Sequence, residues 1–347
     1  MSDGSDPRRD VAPPTDGNPV VARLWRGGHV ESIHRGAWVV VDTAGNVIDG
    51  RGDPEQPIFA RSSTKSIQLL PLLESGAAAT LGVTDDEIAV SIASHNGEPI
   101  HVDAARSLLA RARLSDDHLR CGPQRPAGAG DDSPATRITN NCSGKHAAFL
   151  AGALHLGDDP ADYIAPSSSV QRLVHRAVLD MTGADESTMS TAIDGCSAPT
   201  FLLALSALAT GLARMANPDD LAPARAEACR RIVGAARDHP ELVEGTSATS
   251  FDTAVLRATD GRLFAKRGAE GVQTVGIVGS GVGFAAKIDD GSPRSIHPLT
   301  LVVLGRMGHI DARELDVLQH WTDPVRRNLD GLDIGRHELC PHILPGR

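Results

Sequence analysis

The chain has 347 residues, of which 41% are hydrophobic and 22% charged, with a formal net charge of −10. That is enough apolar material for one large α/β domain, or a main domain with a helical insertion, so disorder is not the default state. The acid excess has no compensating basic block, which speaks against nucleic acid or an anionic membrane as partner and for a small molecule.

Residues 1–18 are polar and proline-dotted, lack the apolar core of a signal peptide, and read as a disordered tail. No run approaches the roughly 18 uninterrupted apolar residues of a membrane span, so a cytoplasmic protein is expected. From Pro19 the pattern is strand-like over Val20–Trp25, Ala37–Val41 and Val47–Asp49, with a turn at Thr43–Asn46. A helix opening at Ser62 follows, with Pro71 expected to kink it. Thr84-Asp85-Asp86-Glu87 is a capping box, and the helix after it is expected to end at Ser94-His95-Asn96-Gly97. Further helical periodicity covers Pro99–Ala112, Ser143–Leu154, Ser167–Met181, Pro199–Ala216 and Leu221–Ala236, interrupted by a loop rich in Gly, Pro and Asp over Gly122–Ala135. Strands return at Leu263–Lys266, Val275–Val278 and Phe284–Ile288, and a last helix begins near His297. Together these predict one domain over residues 19–347. It is an α/β fold in which an antiparallel sheet, drawn from about 19–60 and 260–310, is flanked by helices, with a helical block inserted over about 62–240.

Only four lysines stand among the 34 basic Lys and Arg residues: Lys65, Lys145, Lys266 and Lys287. Arginine keeps its proton, whereas a desolvated lysine can lose it and become a base or a metal ligand, so these four are candidates for tasks arginine cannot perform. Ser62-Ser63-Thr64-Lys65 is an S-x-x-K motif at a helix start, which puts the Ser62 hydroxyl and the Lys65 amine on one face. Ser94-His95-Asn96 fits S-x-N and Lys266-Arg267-Gly268 fits K-x-G, completing in order the three elements of the penicillin-recognising serine hydrolases. Their spacing differs from that of β-lactamases, since the helical block follows the second element. Five cysteines, an odd number, make a disulfide framework unexpected. Asn141-Cys142-Ser143-Gly144-Lys145-His146 and Asp194-Gly195-Cys196 place two thiols in polar turns. They match no standard zinc spacing, and on chemistry alone buried structural thiols are favoured over a metal site.

These runs, with Arg26-Gly27-Gly28, Cys121-Gly122-Pro123, Gly268-Ala269-Glu270-Gly271 and Lys287-Ile288-Asp289-Asp290-Gly291, resemble the rhizobial-type, inducible, zinc-containing L-asparaginase family in order from about residue 20 to 295. The resemblance implies a serine β-lactamase-like fold, a homodimer, and hydrolysis of L-asparagine to L-aspartate and ammonia. It also implies two Ser-Lys tandems, Ser62 with Lys65 and Ser94 with Lys266, and zinc held by Cys142, Lys145 and Cys196. Arg61, His146 and Asp194 are the candidates for shaping the pocket and binding the charged ends of the amino acid. Gln124 and Asn140 stand where histidines are expected, Ser197 where glycine is expected, and Gly245–Thr253 matches poorly. The rival readings are a glutaminase or peptidase-like serine-lysine hydrolase on the same scaffold, and a non-catalytic ligand-binding relative.

Overall fold

The computed structural model describes residues 17–322 and 325–346. Strands β1 (Val20–Arg26) and β2 (His29–Asp42) form a hairpin around Gly27-Gly28. Both glycines have positive φ, 52° and 84°, as the tight two-residue turn demands. The 14-residue β2 is the hinge of the sheet. Its first half pairs with β1, and its second half lies between β3 (Val47–Arg51) and β9 (Val282–Ile288), all antiparallel. β9 continues to β8 (Val272–Ile277) and β7 (Leu263–Gly268). The strand order β10-β11-β1-β2-β9-β8-β7, with β3 beside β2, makes an eight-stranded sheet; here β10 is Val325–Arg327 and β11 is Asp333–Leu339.

Side chains alternate across this sheet, so each strand feeds two cores. In β2, Trp38 and Val40 join one core, while Ala37, Val39 and Val41 join the other. The first core lies against Phe251–Ala258 and Ile296–Arg306, the second against the helical block. The helix Leu205–Ala216 lies directly on β8 and β9 because Gly276 and Gly283, partners in register, carry no side chain. A Cβ at Gly283 would meet the Ala209 carbonyl at 2.2 Å, and one at Gly276 the Leu212 carbonyl at 2.6 Å.

Most expected elements are present, including the Thr84 capping box and a helix Lys65–Glu74 that carries Pro71 inside it. Three expectations are corrected. The segment expected to be helical over Pro199–Ala216 splits: Pro199–Ala204 is strand β6, flanked by β4 (Pro57–Phe59) and β5 (Ser190–Ile193), and only Leu205–Ala216 is helix. Pairing to segments far along the chain overrides a local apolar spacing there. The sheet also gains β10 and β11 after the helix Ile296–Arg306, where no strands were expected. Of the tail expected over 1–18, residues 1–16 lie outside the described residues, while Asn18 is buried and bonds Gln56 and Asp289, both at 2.8 Å.

Candidate active site

The alternation of β7 turns Lys266 to the same face as Phe264, toward the helical block. Gly268 lets the end of that strand lie against the Ala60–Arg61 turn, since a Cβ there would meet the Ala60 carbonyl at 2.9 Å. Arg61–Thr64 forms a 3-10 turn that leads into the helix Lys65–Glu74. Arg61 itself adopts φ 51°, a left-handed conformation that is strained for a side chain of its size. The Ser94 segment leaves its helix extended, with the Ser94 and Asn96 amides donating to the Val243 and Glu244 carbonyls.

The outcome is one serine between two buried amines. Ser94 Oγ lies 3.3 Å from Lys65 Nζ and 3.0 Å from Lys266 Nζ, and all three residues are buried. Lys65 also reaches the Ala93 carbonyl and, at 3.1 Å, the Asn141 carbonyl. Two carbonyls and one hydroxyl accommodate either form of the amine: an ammonium donates to all three, and a neutral amine donates to the carbonyls while its lone pair can receive the serine proton. Burial lowers the Lys65 pKa, helped by the neighbouring Lys145 and opposed by the Cys142 and Cys196 thiols. Ser94 has one hydroxyl proton and can give it to only one amine, so the other must donate to Ser94. Lys266 is suited to that second role, because Asp252 stands 3.5 Å from its ammonium and both are fully buried. Burial lowers the Lys266 pKa to about 8, against the opposing pull of Asp252.

Ser62 is half-buried and therefore more accessible than Ser94, and it is absent from the hydrogen-bond partners of Lys65, which are Ala93, Ser94 and Asn141. Arg61 Nε donates to Asp194 Oδ1 at 2.8 Å, and its other end lies 3.9 Å from Glu270. Burial works against the Asp194 charge, but Lys145, the Gly195 amide and Arg61 outweigh it and hold this carboxyl below its usual range. His146 is sealed inside, with Nδ1 2.6 Å from the Tyr163 hydroxyl. Among the described residues its Nε2 has no nitrogen or oxygen partner, and the Cys196 sulfur lies beside the ring. His95 is also a structural residue: its Nδ1 accepts from the Gly97 amide, which leaves Nε2 to donate to Ser143 at 2.9 Å.

The thiols converge behind Lys65. Lys145 Nζ lies 3.2 Å from Cys196 Sγ, and the Cys142 thiol is drawn far below its ordinary pKa, first by a hydrogen bond with Cys196 and, against the opposing effect of burial, by Lys65 and Lys145. Among the described residues no group of three His, Cys, Asp or Glu side chains is arranged for a metal. The expected set draws its third donor from lysine. Two thiols and the Lys145 amine gather at one buried point, with the His146 ring beside Cys196, and a thiolate-rich donor set suits zinc, so the residues present fit the ion. The residues replacing expected ones support this loop. Asn140 Oδ1 accepts from the Cys142 amide at 2.9 Å, and Gln124 Oε1 accepts from the Asn141 amide at 3.2 Å. Ser197 has φ 72°, a left-handed conformation that the glycine implied by the resemblance would adopt without strain.

Sequence reasoning did not find Asp252 or Glu244. Both lie in or beside the stretch that matches the resembled family poorly, and neither sits at a motif spacing from Lys266.

An S-x-x-K lysine, an S-x-N serine and a K-x-G lysine thus meet at one buried hydroxyl, an arrangement in which a proton can pass between hydroxyl and amine. Residues 22–339 match the L-asparaginase II family, and the chain belongs to that family of amidohydrolases. No curated protein matches the chain. Among solved structures it is similar to a β-lactamase from Mycobacterium bovis, at 15% identity, with 88% of this chain and 97% of that one covered and a TM-score of 0.43. It is also similar to a candidate β-lactamase from Bacteroides dorei, at 12% identity, with 73% and 84% covered and a TM-score of 0.40. Among the described residues no helix is long and apolar enough to cross a membrane.

Proposed function

We propose that this amidohydrolase hydrolyses L-asparagine through a serine ester, with Ser62 as nucleophile, Lys65 as base and Ser94 with Lys266 as the proton relay. The observation that carries the reading is the Ser94 hydroxyl held by two buried amines, at 3.3 and 3.0 Å, one of them the Lys65 amine three residues along the chain from the more accessible Ser62. A nucleophile must touch substrate, and Ser62 is the more open of the two serines. Its oxygen attacks the side-chain amide carbon while its proton moves to the Ser94 oxygen and the Ser94 proton to neutral Lys65. The C–N bond then breaks as the proton taken up by Lys65 returns through the same relay to the amide nitrogen, which leaves as ammonia. Water, deprotonated by the same relay, cleaves the ester and frees aspartate. Arg61 and Asp194, already paired, offer a cation to the α-carboxylate and an anion to the α-ammonium, and His146 supports the wall behind them. The contact of Ser94 with both lysines favours a second reading in which Ser94 is the nucleophile. Mass-spectrometric mapping of the acylated serine after a rapid quench distinguishes the two.

In the same reading Cys142, Lys145 and Cys196 hold zinc, which when bound supplies a fixed positive charge beside the pocket. The thiols raise the Lys145 pKa to about 12, against the lowering effect of burial, so Lys145 must release a proton to become a ligand. The working form is a homodimer in the cytoplasm, checked by light scattering and by cell fractionation. Ammonia release from asparagine, compared with glutamine, a chromogenic β-lactam and a D-peptide, tests the activity. Turnover of any of the other three in preference to asparagine would replace this reading, and none with any would leave a ligand-binding relative.

A further inference from the structure

Four ionisable groups, two basic and two acidic, are buried or half-buried behind Ser94. Asp252 is fully buried at the start of the helix Phe251–Ala258, and Glu244 is almost fully buried just before it. Asp252 Oδ2 accepts from the Arg267 amide at 2.9 Å, and Oδ1 accepts from Gln273 Nε2 at 3.1 Å. The Asp252 amide in turn donates to Glu244 Oε2 at 2.8 Å, and the other oxygen of Glu244 pairs with the Arg267 guanidinium at 3.1 Å. Lys266 completes the group at 3.5 Å from Asp252. Two carboxylates thus face Lys266 and Arg267. An unpaired carboxylate in such a place would be strongly disfavoured, and the two cations offset that cost.

We propose that Asp252 and Glu244 are positioning residues that keep Lys266 protonated, so that it donates to Ser94 Oγ and leaves the Ser94 proton free to face Lys65. The proposal rests on the serine-lysine reading given above. Neutral Lys266 would leave two carboxylates against Arg267 alone, an imbalance that a low-dielectric interior penalises. The other charges nearby act in both directions. Lys65, from the helix across Ser94, and Arg267, on the same strand, oppose the Lys266 charge, and Asp252 and Glu244 support it. His297, from the helix Ile296–Arg306, stacks on Phe251 at 4.1 Å, and burial keeps it neutral, with its pKa lowered to about 4. Glu244 is the weaker partner, since burial and then Asp252 raise its own pKa to about 7. Asp252 also has a structural part, as acceptor for Arg267 and Gln273, which asparagine at that position retains in half.

The four lysines make the test direct. Protein labelled with [ε-13C]lysine gives one resonance for each of Lys65, Lys145, Lys266 and Lys287, and Lys266→Arg assigns the third by its disappearance. The Lys266 titration midpoint should fall in Asp252→Asn, so that the ratio of neutral to charged Lys266 at fixed pH rises about tenfold. In Glu244→Gln the rise should be about two- to threefold. A role confined to packing would leave the midpoint unmoved. A midpoint that is unchanged or raised in both variants overturns the proposal, and one that moves only in Asp252→Asn removes Glu244 from it. Should Asp252→Asn fail to fold, Glu244→Gln alone decides by the direction of its shift. The titration is read without substrate, so its outcome is independent of whether asparagine is hydrolysed.

Discussion

The two lysines that meet at Ser94 are chemically identical, equally buried, and set in opposite surroundings. Lys65 touches two backbone carbonyls and has the thiols and the Lys145 ammonium behind it. Lys266 has a carboxylate at 3.5 Å and a second one beyond it. Carbonyls accept hydrogen bonds from either protonation state of an amine, whereas a buried carboxylate favours the charged one. Asymmetry of this kind gives a single hydroxyl a base on one side and a donor on the other, a division of labour that the residue types alone do not show.

Arginine substitution should break the comparison most sharply. Lys65→Arg removes the base and should lower kcat by about 10³ or more, as losing the activating group of a nucleophile does. Lys266→Arg keeps a buried donor and a positive charge, so its loss should be smaller, about ten- to hundredfold. Steady-state ammonia release on both variants checks this, and equal losses would mean that the two lysines share one role.

The thiol side is probed next. Cys142→Ser and Cys196→Ser should each bring zinc well below one per chain by elemental analysis, with KM for asparagine rising about tenfold while kcat changes less. Zinc should also leave wild-type protein as the pH falls, because the proton competes for Lys145, whose pKa without metal is raised to about 12. Full zinc occupancy in both variants would remove the metal from this side.

The pH profile sharpens the other side. Lys266 is charged below about 8 and neutral above it, so kcat/KM should fall as pH rises through that value when the Ser94 donor is lost. In Lys266→Arg the alkaline limb should disappear, since arginine holds its proton throughout. A profile still rising past pH 9 would show that neutral Lys266 is the active form.

The smallest effect on chemistry is expected from the scaffold shared by both lysines. Gly283→Ala puts a Cβ 2.2 Å from the Ala209 carbonyl and should lower stability by about 1–3 kcal/mol in urea unfolding. The alkaline limb near pH 8 should stay where it is.

Local sequence determined the pieces. The capping box at Thr84, the strand alternation around Lys266, the glycine turn at Gly27-Gly28 and the run of helices after Ser143 are set by contacts within a few residues, and the chemistry of a rare lysine or thiol is visible in its identity. Tertiary structure decided what meets what. The Ser94 hydroxyl and the Lys266 amine are 172 residues apart, and pairing of β6 with β4, or of β11 with β1, joins segments just as remote, so no local pattern encodes them. The spacing of Ser62 and Lys65 on one helical turn made them the natural pair, yet the fold draws Lys65 to the carbonyls of Ala93 and Asn141 and to Ser94 instead. Asp252 and Glu244 carry no motif at all. Their role comes from burial beside Lys266, because a carboxylate governs the proton of a neighbouring amine only where the fold has removed the water between them.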